Sequence, residues 1–262
     1  MSADGAVSPG LEHPDAANAV RGERIRAENV TAGYGGDPVI RAVSVEAAPG
    51  QVVSLVGPNG SGKSTTFNLI AGTLRPTTGS IRFQGAEIAS LAAHTICRRG
   101  VGRTFQIPRP FRKLSLIENV ALAAYYGSGV VSRAQAWRQA EEVLDLVGLP
   151  ANPGATPSGL GTAALKKLEL ARALASKPKL LLADESLGGL DATEMERAAS
   201  LLESLRSRMG VTIIWVEHIM GVLMRIVDRV IVLDHGEKIF DGLPAQAAVD
   251  PRVTEVYLGK RV

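Results

Sequence analysis

Residues 57–65, with the sequence Gly-Pro-Asn-Gly-Ser-Gly-Lys-Ser-Thr, restrict the fold of this chain more than any other feature. They match the pattern G-x-x-x-x-G-K-[ST] and lie between an apolar run at 51–56 and a predicted helix at 66–71. Glycines let a backbone curl tightly, so that successive N–H groups and the helix N-terminus point at phosphate oxygens. The pattern therefore predicts a phosphate-binding loop for ATP or GTP, and it argues against a glycine-rich surface turn.

Each residue type in this loop has a chemical reason to be there. Lys63 supplies a point charge for the β- and γ-phosphates, and the hydroxyl of Ser64 is a predicted Mg²⁺ ligand. The predicted nucleotide-binding residues of the loop are Gly57, Pro58, Asn59, Gly60, Ser61, Gly62, Lys63, Ser64 and Thr65.

Composition narrows the class of protein. The 262 residues are 45% hydrophobic and 21% charged, which is typical of a globular chain with enough length for one large domain or two lobes. The single cysteine, Cys97, argues against a disulfide framework or a cysteine metal site. The sequence predicts neither a membrane-spanning helix nor a signal peptide, so we expect a cytoplasmic location.

Charge is unevenly distributed along the chain. The net charge of +3 is too small to argue for nucleic acid, and we expect no nucleic-acid partner. Residues 98–113, however, contain six basic side chains and no acidic one. This run is either a solvated face or a surface that meets an acidic partner or anionic lipid. Its members are Arg98, Arg99, Arg103, Arg109, Arg112 and Lys113.

The order of predicted elements indicates an α/β protein. Residues 1–23 lack periodicity and are predicted to be a disordered tail. Strands alternating with helices after the phosphate loop predict a largely parallel sheet, and residues of about 107–158 read as a helical insertion. Strands are predicted at 25–30, 39–45, 51–56, 79–84, 180–183, 211–216, 229–233 and 238–240. Helices are predicted at 66–71, 114–126, 135–147, 163–175, 193–209 and 220–227.

Two carboxylates follow the predicted strand at 180–183. Asp184 at the carboxyl end of a buried strand is what a phosphate-bound Mg²⁺ needs opposite Ser64. Glu185 would then lie beside the γ-phosphate, where a carboxylate can accept a proton from an attacking water. An apolar strand followed by Asp-Glu is weak evidence for such a site on its own, but its spacing after the phosphate loop strengthens the prediction.

From Ile25 onward the chain resembles the ATP-binding-cassette (ABC) ATPases. The resemblance implies a P-loop NTPase with a RecA-like core, an antiparallel β subdomain and a helical subdomain of about 107–175, all within a domain spanning 24–262. It gives four further residues a role. Tyr34 would stack on adenine, Gln106 would reach Mg²⁺ and the lytic water, Asp191 would lie in a loop that crosses between two subunits, and His218 would contact the γ-phosphate.

One motif departs from the family pattern. The family signature is Leu-Ser-Gly-Gly-Gln, and counting back from Leu168 puts Leu-Gly-Thr-Ala-Ala at 160–164 in its place. Gly161 has no hydroxyl for a γ-phosphate, and Thr162 and Ala163 replace glycines. Either the degenerate signature is tolerated, or a slipped register uses Ser158 or Thr162, or the weakened site serves the ATP of a partner subunit.

Residues 100–106, Gly-Val-Gly-Arg-Thr-Phe-Gln, and residues 110–120 resemble the ATPase subunits of branched-chain (hydrophobic) amino-acid importers. That group implies ATP and Mg²⁺ as cofactors, integral membrane permease subunits, a second ABC ATPase as a homo- or heterodimer partner, and indirectly a periplasmic solute-binding protein. The protein would lie peripherally on the cytoplasmic face of the bacterial inner membrane. Alternatives are a soluble non-transport ABC ATPase and the ATPase of a lipid or polysaccharide exporter.

Overall fold

The computed structural model describes residues 22–184, 192–216 and 226–258. The strands there are β1 (Ile25–Ala32), β2 (Ile40–Ala47), β3 (Val52–Val56), β4 (Thr78–Phe83), β5 (Ala86–Glu87), β6 (Val101–Arg103), β7 (Leu180–Asp184), β8 (Thr212–Val216), β9 (Arg229–Asp234) and β10 (Glu237–Gly242). The α-helices are α1 (Lys63–Ile70), α2 (Ala93–Arg98), α3 (Leu116–Gly127), α4 (Arg133–Val147), α5 (Thr162–Ala175), α6 (Ala192–Met209), α7 (Pro244–Ala247) and α8 (Pro251–Leu258). Within these residues, no helix has the length and apolar character needed to cross a bilayer.

The strands form two sheets with different directions. A four-stranded antiparallel sheet has the order β2-β1-β4-β5. A six-stranded sheet has the order β10-β9-β3-β8-β7-β6, in which only β10 pairs antiparallel with its neighbour. The architecture confirms the predicted α/β class, with a largely parallel core and a separate antiparallel sheet.

The parallel sheet is covered on both faces, which explains the continuous apolar runs of its central strands. Every residue of β3, β7 and β8 is buried. Leu181 and Ile213 pack into a core shared with α3, α4 and α5, whereas Leu180 and Ile214 pack into a second core shared with α1 and the antiparallel sheet. The helical part and the antiparallel part therefore stand on opposite faces of one sheet.

The parallel strands bring two predicted motifs to one edge. Strand β3 ends at Val56, directly before the phosphate loop, and β7 ends at Asp184. Only β8 separates them, and Asp184 pairs with Val216 at the end of β8. Since carboxyl ends of parallel strands share an edge, the loop and Asp184 lie about two strand spacings, roughly 10 Å, apart.

The helices of the predicted insertion have clear end signals. Helix α3 begins after Ser115, whose side chain and that of Glu118 form a reciprocal capping box. Helix α4 is capped at its start by Ser132 and at its end by Gly148, which has a left-handed conformation with φ of 70°. The predicted starts at 114 and 135 are each displaced by two residues, the predicted end at 126 is displaced by one, and the predicted end at 147 is confirmed.

Several short elements were not predicted: β5, β6, α2, α7 and α8. Strand β6 is three residues long and has Gly102 at its centre, a composition that is atypical of strands. A Cβ on Gly102 would lie 2.9 Å from Cβ of Pro178, so the glycine permits close packing. The predicted tail, apart from residues 22 and 23, and nearly all of the predicted helix at 220–227 lie outside the described residues.

Candidate nucleotide-binding site

The phosphate loop has a backbone that only glycine adopts readily. Gly57, Gly60 and Gly62 have φ values of 151°, 82° and 107°. A Cβ on Gly57 would lie 2.1 Å from the carbonyl oxygen of Leu233, and a Cβ on Gly62 would lie 2.4 Å from Cγ2 of Ile40. In contrast, a Cβ on Gly60 would meet no described atom within 4 Å. The loop is therefore packed on its inner side and open at Gly60.

The polar groups of the loop suit an anion. The buried Nζ of Lys63 donates hydrogen bonds of 2.8 Å to the carbonyl oxygens of Gly57 and Pro58, so the ammonium group lies across the loop. The buried Oγ of Ser61 has no hydrogen-bond partner among the described residues. Helix α1 begins at Lys63, and Ser64 in its first turn is exposed. These groups fit a bound phosphate, and Ser64 fits an accompanying Mg²⁺.

Asp184 is held by its backbone and approached by a cation. Its N–H donates a 2.9 Å hydrogen bond to Oγ1 of Thr104, and the Thr104 N–H donates to the carbonyl oxygen of Leu182. The guanidinium Nη2 of Arg103 lies 3.6 Å from Oδ2 of Asp184. The Asp184 carboxylate is thus fixed at the sheet edge and paired with a positive charge.

Arg103 also contacts helix α1. Its Nη1 donates a 2.7 Å hydrogen bond to Oδ1 of Asn68, and its guanidinium lies 4.9 Å from the ring centroid of Phe105 and 6.0 Å from that of Phe67. Burial lowers the pKa of Arg103, and the charge of Asp184 opposes that shift. In the sequence, Arg103 stands out only as one basic residue of a run and as one residue of the Arg-Thr-Phe-Gln segment.

Tyr34 and Gln106, which were predicted to contact adenine and Mg²⁺, are both exposed. Tyr34 is 63% exposed, and its hydroxyl accepts a 2.5 Å hydrogen bond from Nδ2 of Asn68, so the ring lies beside α1. Gln106 is exposed in the loop that follows β6. Stacking of Tyr34 on adenine and binding of Gln106 to Mg²⁺ stay predictions. Glu185, Asp191 and His218 lie outside the described residues, and their roles also stay predictions.

The degenerate signature coincides with the start of α5. Gly161 is the N-cap residue of that helix with ordinary extended backbone, φ −72° and ψ 171°, and Thr162 is its first residue. Gly161 and Thr162 are exposed, and Ala163 is half-buried. A Cβ on Gly161 would meet no described atom within 4 Å. The counted register therefore places residues 161–163 at a helix N-terminus, with space for a larger side chain.

The segment between Gln106 and α3 is fixed by a buried amide. The side chain of Asn119 accepts from the N–H of Phe111 at 2.8 Å and donates to the carbonyl oxygens of Phe111, Leu114 and Ser115 at 2.9–3.2 Å. Asn119 is fully buried. In the sequence, Asn119 lies in a family-like segment and has no predicted role, because nothing local signals these backbone contacts.

Replacing Asn119 by leucine is expected to lower the free energy of unfolding by roughly 3 kcal/mol, because the buried backbone groups lose their partner. Urea unfolding followed by circular dichroism measures the change. The matched control is Asn152→Leu, since Asn152 is exposed in the connector that precedes α5. Equal stability of the two variants would contradict the anchoring role of Asn119.

Comparison with known proteins gives a consistent set of relatives. The family model described as ABC transporter matches residues 40–188. BraF of Pseudomonas aeruginosa, a high-affinity branched-chain amino acid transport ATP-binding protein, is 33% identical over 90% of this chain and 98% of its own length. LivG of Escherichia coli, described in the same terms, is 34% identical over 87% and 94%. The lipopolysaccharide export ATP-binding protein LptB of Acidithiobacillus ferridurans is 34% identical over 90% and 97%.

Solved structures with the same fold include ABC cassettes. The ADP conformation of MJ1267, an ATP-binding cassette of an ABC transporter, superimposes with a TM-score of 0.81 and 26% identity over 91% of this chain and 99% of its own. MJ0796, a dimeric cassette bound to ADP and Pi, gives a TM-score of 0.76 and 28% identity over 84% and 98%.

Proposed function

The chain belongs to the family of ABC transporter ATP-binding subunits, which hydrolyse ATP, and we propose that it serves an importer of branched-chain amino acids or related small polar solutes. The observation that carries this proposal is the identity to BraF and LivG of 33–34% along nearly the whole chain. Export of a lipid or polysaccharide is the second candidate, because LptB is equally identical. A soluble non-transport ATPase has no comparable support among these relatives.

In the proposed cycle the phosphate loop holds the triphosphate of ATP, and Lys63 moves its ammonium group from the loop carbonyls to the β- and γ-phosphates. Ser64, Asp184 and Gln106 are the proposed holders of Mg²⁺, which supplies positive charge to the phosphate oxygens when bound. Glu185 accepts a proton from the attacking water, and His218 contacts the γ-phosphate. Two such subunits, identical or different, enclose the nucleotides, and Asp191 lies in the loop between them.

Coupling to a membrane partner needs a surface, and residues 105–113, here named the docking loop, provide one. Phe105, Ile107 and Phe111 are 38%, 72% and 47% exposed, and Arg109 and Arg112 are exposed beside them. The loop contains no acidic residue. Exposed aromatic and aliphatic side chains with basic neighbours favour a protein partner over a purely solvated face.

The docking loop is supported from below by helix α5. Arg172 donates a 2.8 Å hydrogen bond to the carbonyl oxygen of Arg109, pairs with the buried Glu169 at 3.0 Å and lies 5.2 Å from the ring centroid of Phe111. A cleft of about 190 Å³ is lined by Pro108, Pro110 and Arg112 on one side and by residues next to the signature on the other. The second side consists of Pro157, Ser158, Leu160 and Leu165.

These contacts connect the docking loop to the start of α5, where the signature lies. Binding of a permease segment to the docking loop would therefore affect the start of α5, which we expect to face the ATP of the partner subunit. In this proposal the chain lies peripherally at the membrane beside two permease subunits, with a solute-binding protein acting indirectly on the other side.

Charge reversal at Arg109 and Arg112 is expected to lower recovery of the permease subunits in a pull-down at least fivefold, because the docking loop loses its positive charge. The affinity for ATP stays unchanged, since neither side chain belongs to the phosphate loop. Quantitative co-purification from solubilised membranes, together with nucleotide binding to the purified variants, measures both effects.

The matched control reverses two exposed arginines elsewhere, Arg75 and Arg138. Undiminished permease recovery with Arg109→Glu/Arg112→Glu would remove the docking loop from the proposal. Equal losses in the control pair would show that net charge alone causes the effect.

A further inference from the structure

Within the candidate site, a series of polar contacts connects Tyr34, the residue expected at adenine, with Asp184, the residue expected at Mg²⁺. The hydroxyl of Tyr34 accepts from Asn68, Asn68 accepts from Arg103, and Arg103 pairs with Asp184. We propose that Arg103 is a positioning residue that joins Asp184, the carboxylate expected at Mg²⁺, to Tyr34, the ring expected at adenine, through Asn68. The inference rests on ATP binding by the family and is independent of the proposed transport partner.

The Arg103–Asp184 pair is shielded from solvent, which distinguishes it from the surface pairs. The two side chains are 10% and 6% exposed. The pair of Arg82 with Glu87 has a similar separation of 3.8 Å, but its side chains are 59% and 44% exposed. Exposed pairs are screened by water and salt and stabilise little, whereas buried charges interact strongly and are sensitive to the loss of either partner. The buried ion pair with Arg103 is therefore strong enough to orient the Asp184 carboxylate.

The amide of Asn68 transmits orientation because both of its ends are engaged. Its Oδ1 accepts from Arg103 at 2.7 Å and from Oγ1 of Thr73 at 3.2 Å, while its Nδ2 donates to Tyr34 at 2.5 Å. A rotated amide would present its NH₂ group to Arg103 and its oxygen to Tyr34. The contacts thus select one orientation of the amide, and a change at Tyr34 alters the environment of Arg103.

Two aromatic rings restrict the position of the Arg103 guanidinium. The guanidinium lies against the rings of Phe67 and Phe105, which come from α1 and from the loop that carries Gln106. Arg103 therefore contacts the Asp184 carboxylate, Phe105 at the start of the docking loop, and the Asn68 amide that binds Tyr34. From this geometry it follows that removal of the Tyr34 hydroxyl weakens the contribution of Mg²⁺ to nucleotide affinity, although that hydroxyl is not an expected metal ligand.

The test is a Mg²⁺ enhancement ratio, defined as the Kd of a fluorescent, non-hydrolysable ATP analogue in EDTA divided by its Kd with Mg²⁺. Tyr34→Phe keeps the ring for stacking and removes only the hydroxyl, and we expect the ratio to fall about threefold. Arg103→Met is expected to lower the ratio tenfold or more. In the Arg103→Met background, Tyr34→Phe is expected to cause no further change.

Arg82→Met is the control, since it breaks a pair of similar length on the antiparallel sheet, and its ratio should equal that of the wild type. Arg103→Lys keeps the charge and, because an ammonium group lacks the guanidinium fork, should give an intermediate ratio. An unchanged ratio in Tyr34→Phe would overturn the inference, even if Arg103→Met fails to fold, because Tyr34 is exposed and its substitution spares the core.

A raised ratio in Arg103→Met would also overturn the inference, because it would mean that Arg103 competes with the cation for Asp184. A wild-type chain that bound no analogue at all would instead contradict the nucleotide site itself. The experiment therefore separates failure of the positioning role from failure of the ATP-binding function.

Discussion

Glu185→Gln is expected to lower steady-state ATP turnover at least a hundredfold while leaving the affinity for Mg-ATP within about threefold. The amide has the shape of the carboxylate but cannot accept a proton from water, and general-base catalysis contributes about 10²–10⁴ to rate. Glu185 follows Asp184, which ends a buried strand at the same sheet edge as the phosphate loop. Because nucleotide would bind without being hydrolysed, an ATP-bound dimer should accumulate.

Phosphate release measures turnover in this variant, and size-exclusion chromatography with and without ATP measures the dimer. Glu203→Gln on helix α6 is the control, since Glu203 is exposed and far along the chain from the strand end. Wild-type turnover by Glu185→Gln would reject Glu185 as the base. Loss of ATP binding would instead show that the carboxylate is needed to form the site.

The degenerate signature leads to the second large effect: Gly161→Ser is expected to raise the ATPase activity of the isolated protein about tenfold or more. The resemblance to ABC ATPases implies that the signature of one subunit completes the ATP site of the other. A serine hydroxyl would restore a donor for the γ-phosphate, and donors of this kind are worth 10²–10³ in rate where they have been removed. Gly161 has ordinary backbone angles and open space, so serine fits without strain.

Serine is also a favourable N-cap residue, and its stability gain over glycine is only a few tenths of a kcal/mol, so a large rise in activity cannot be a folding effect. Activity is measured against protein concentration to follow dimer formation. Ser158→Ala in the wild-type background tests the slipped register, because it should matter only if Ser158 supplies the hydroxyl. Full, cooperative ATPase activity of the unmodified protein alone would contradict a weakened signature.

A partner ATPase with an intact signature should raise hydrolysis in the same way, since the phosphate loop of this chain is complete. Activity that rises on mixing with such a partner would favour a heterodimer. Activity that rises only with Gly161→Ser would favour a homodimer limited by its own signature.

The sequence was informative where a local rule dictates structure. Three glycines before Lys63 adopt positive φ, and the apolar runs at 51–56 and 180–183 became buried central strands of a parallel sheet. Positive φ values are predicted by glycine, and burial of both faces of a strand is predicted by a continuous apolar run, so both features can be recognised in the sequence. The helix starts after Ser115 and Ser132 likewise follow from capping residues.

The sequence was uninformative where structure depends on distant packing. Strand β6 has a glycine at its centre and exists because Pro178 packs against it and β7 pairs with it. The contact of Arg103 with Asp184 joins positions far apart in sequence, and a run of basic residues predicts a solvated face as readily as a buried pair. The backbone contacts of Asn119 are similarly hidden, because an asparagine in a helix carries no sign of the loop that it holds.

The most direct test is uptake of radiolabelled leucine by proteoliposomes rebuilt from this chain, the permease subunits that co-purify with it and their solute-binding protein. The chain is placed on the same side of the membrane as ATP. With the wild-type chain we expect ATP-dependent accumulation of leucine, and with Lys63→Ala we expect less than a tenth of that accumulation. Uptake that survives Lys63→Ala, or that merely equals the uptake of vesicles lacking the chain, would contradict the proposal that ATP held at this phosphate loop drives solute import.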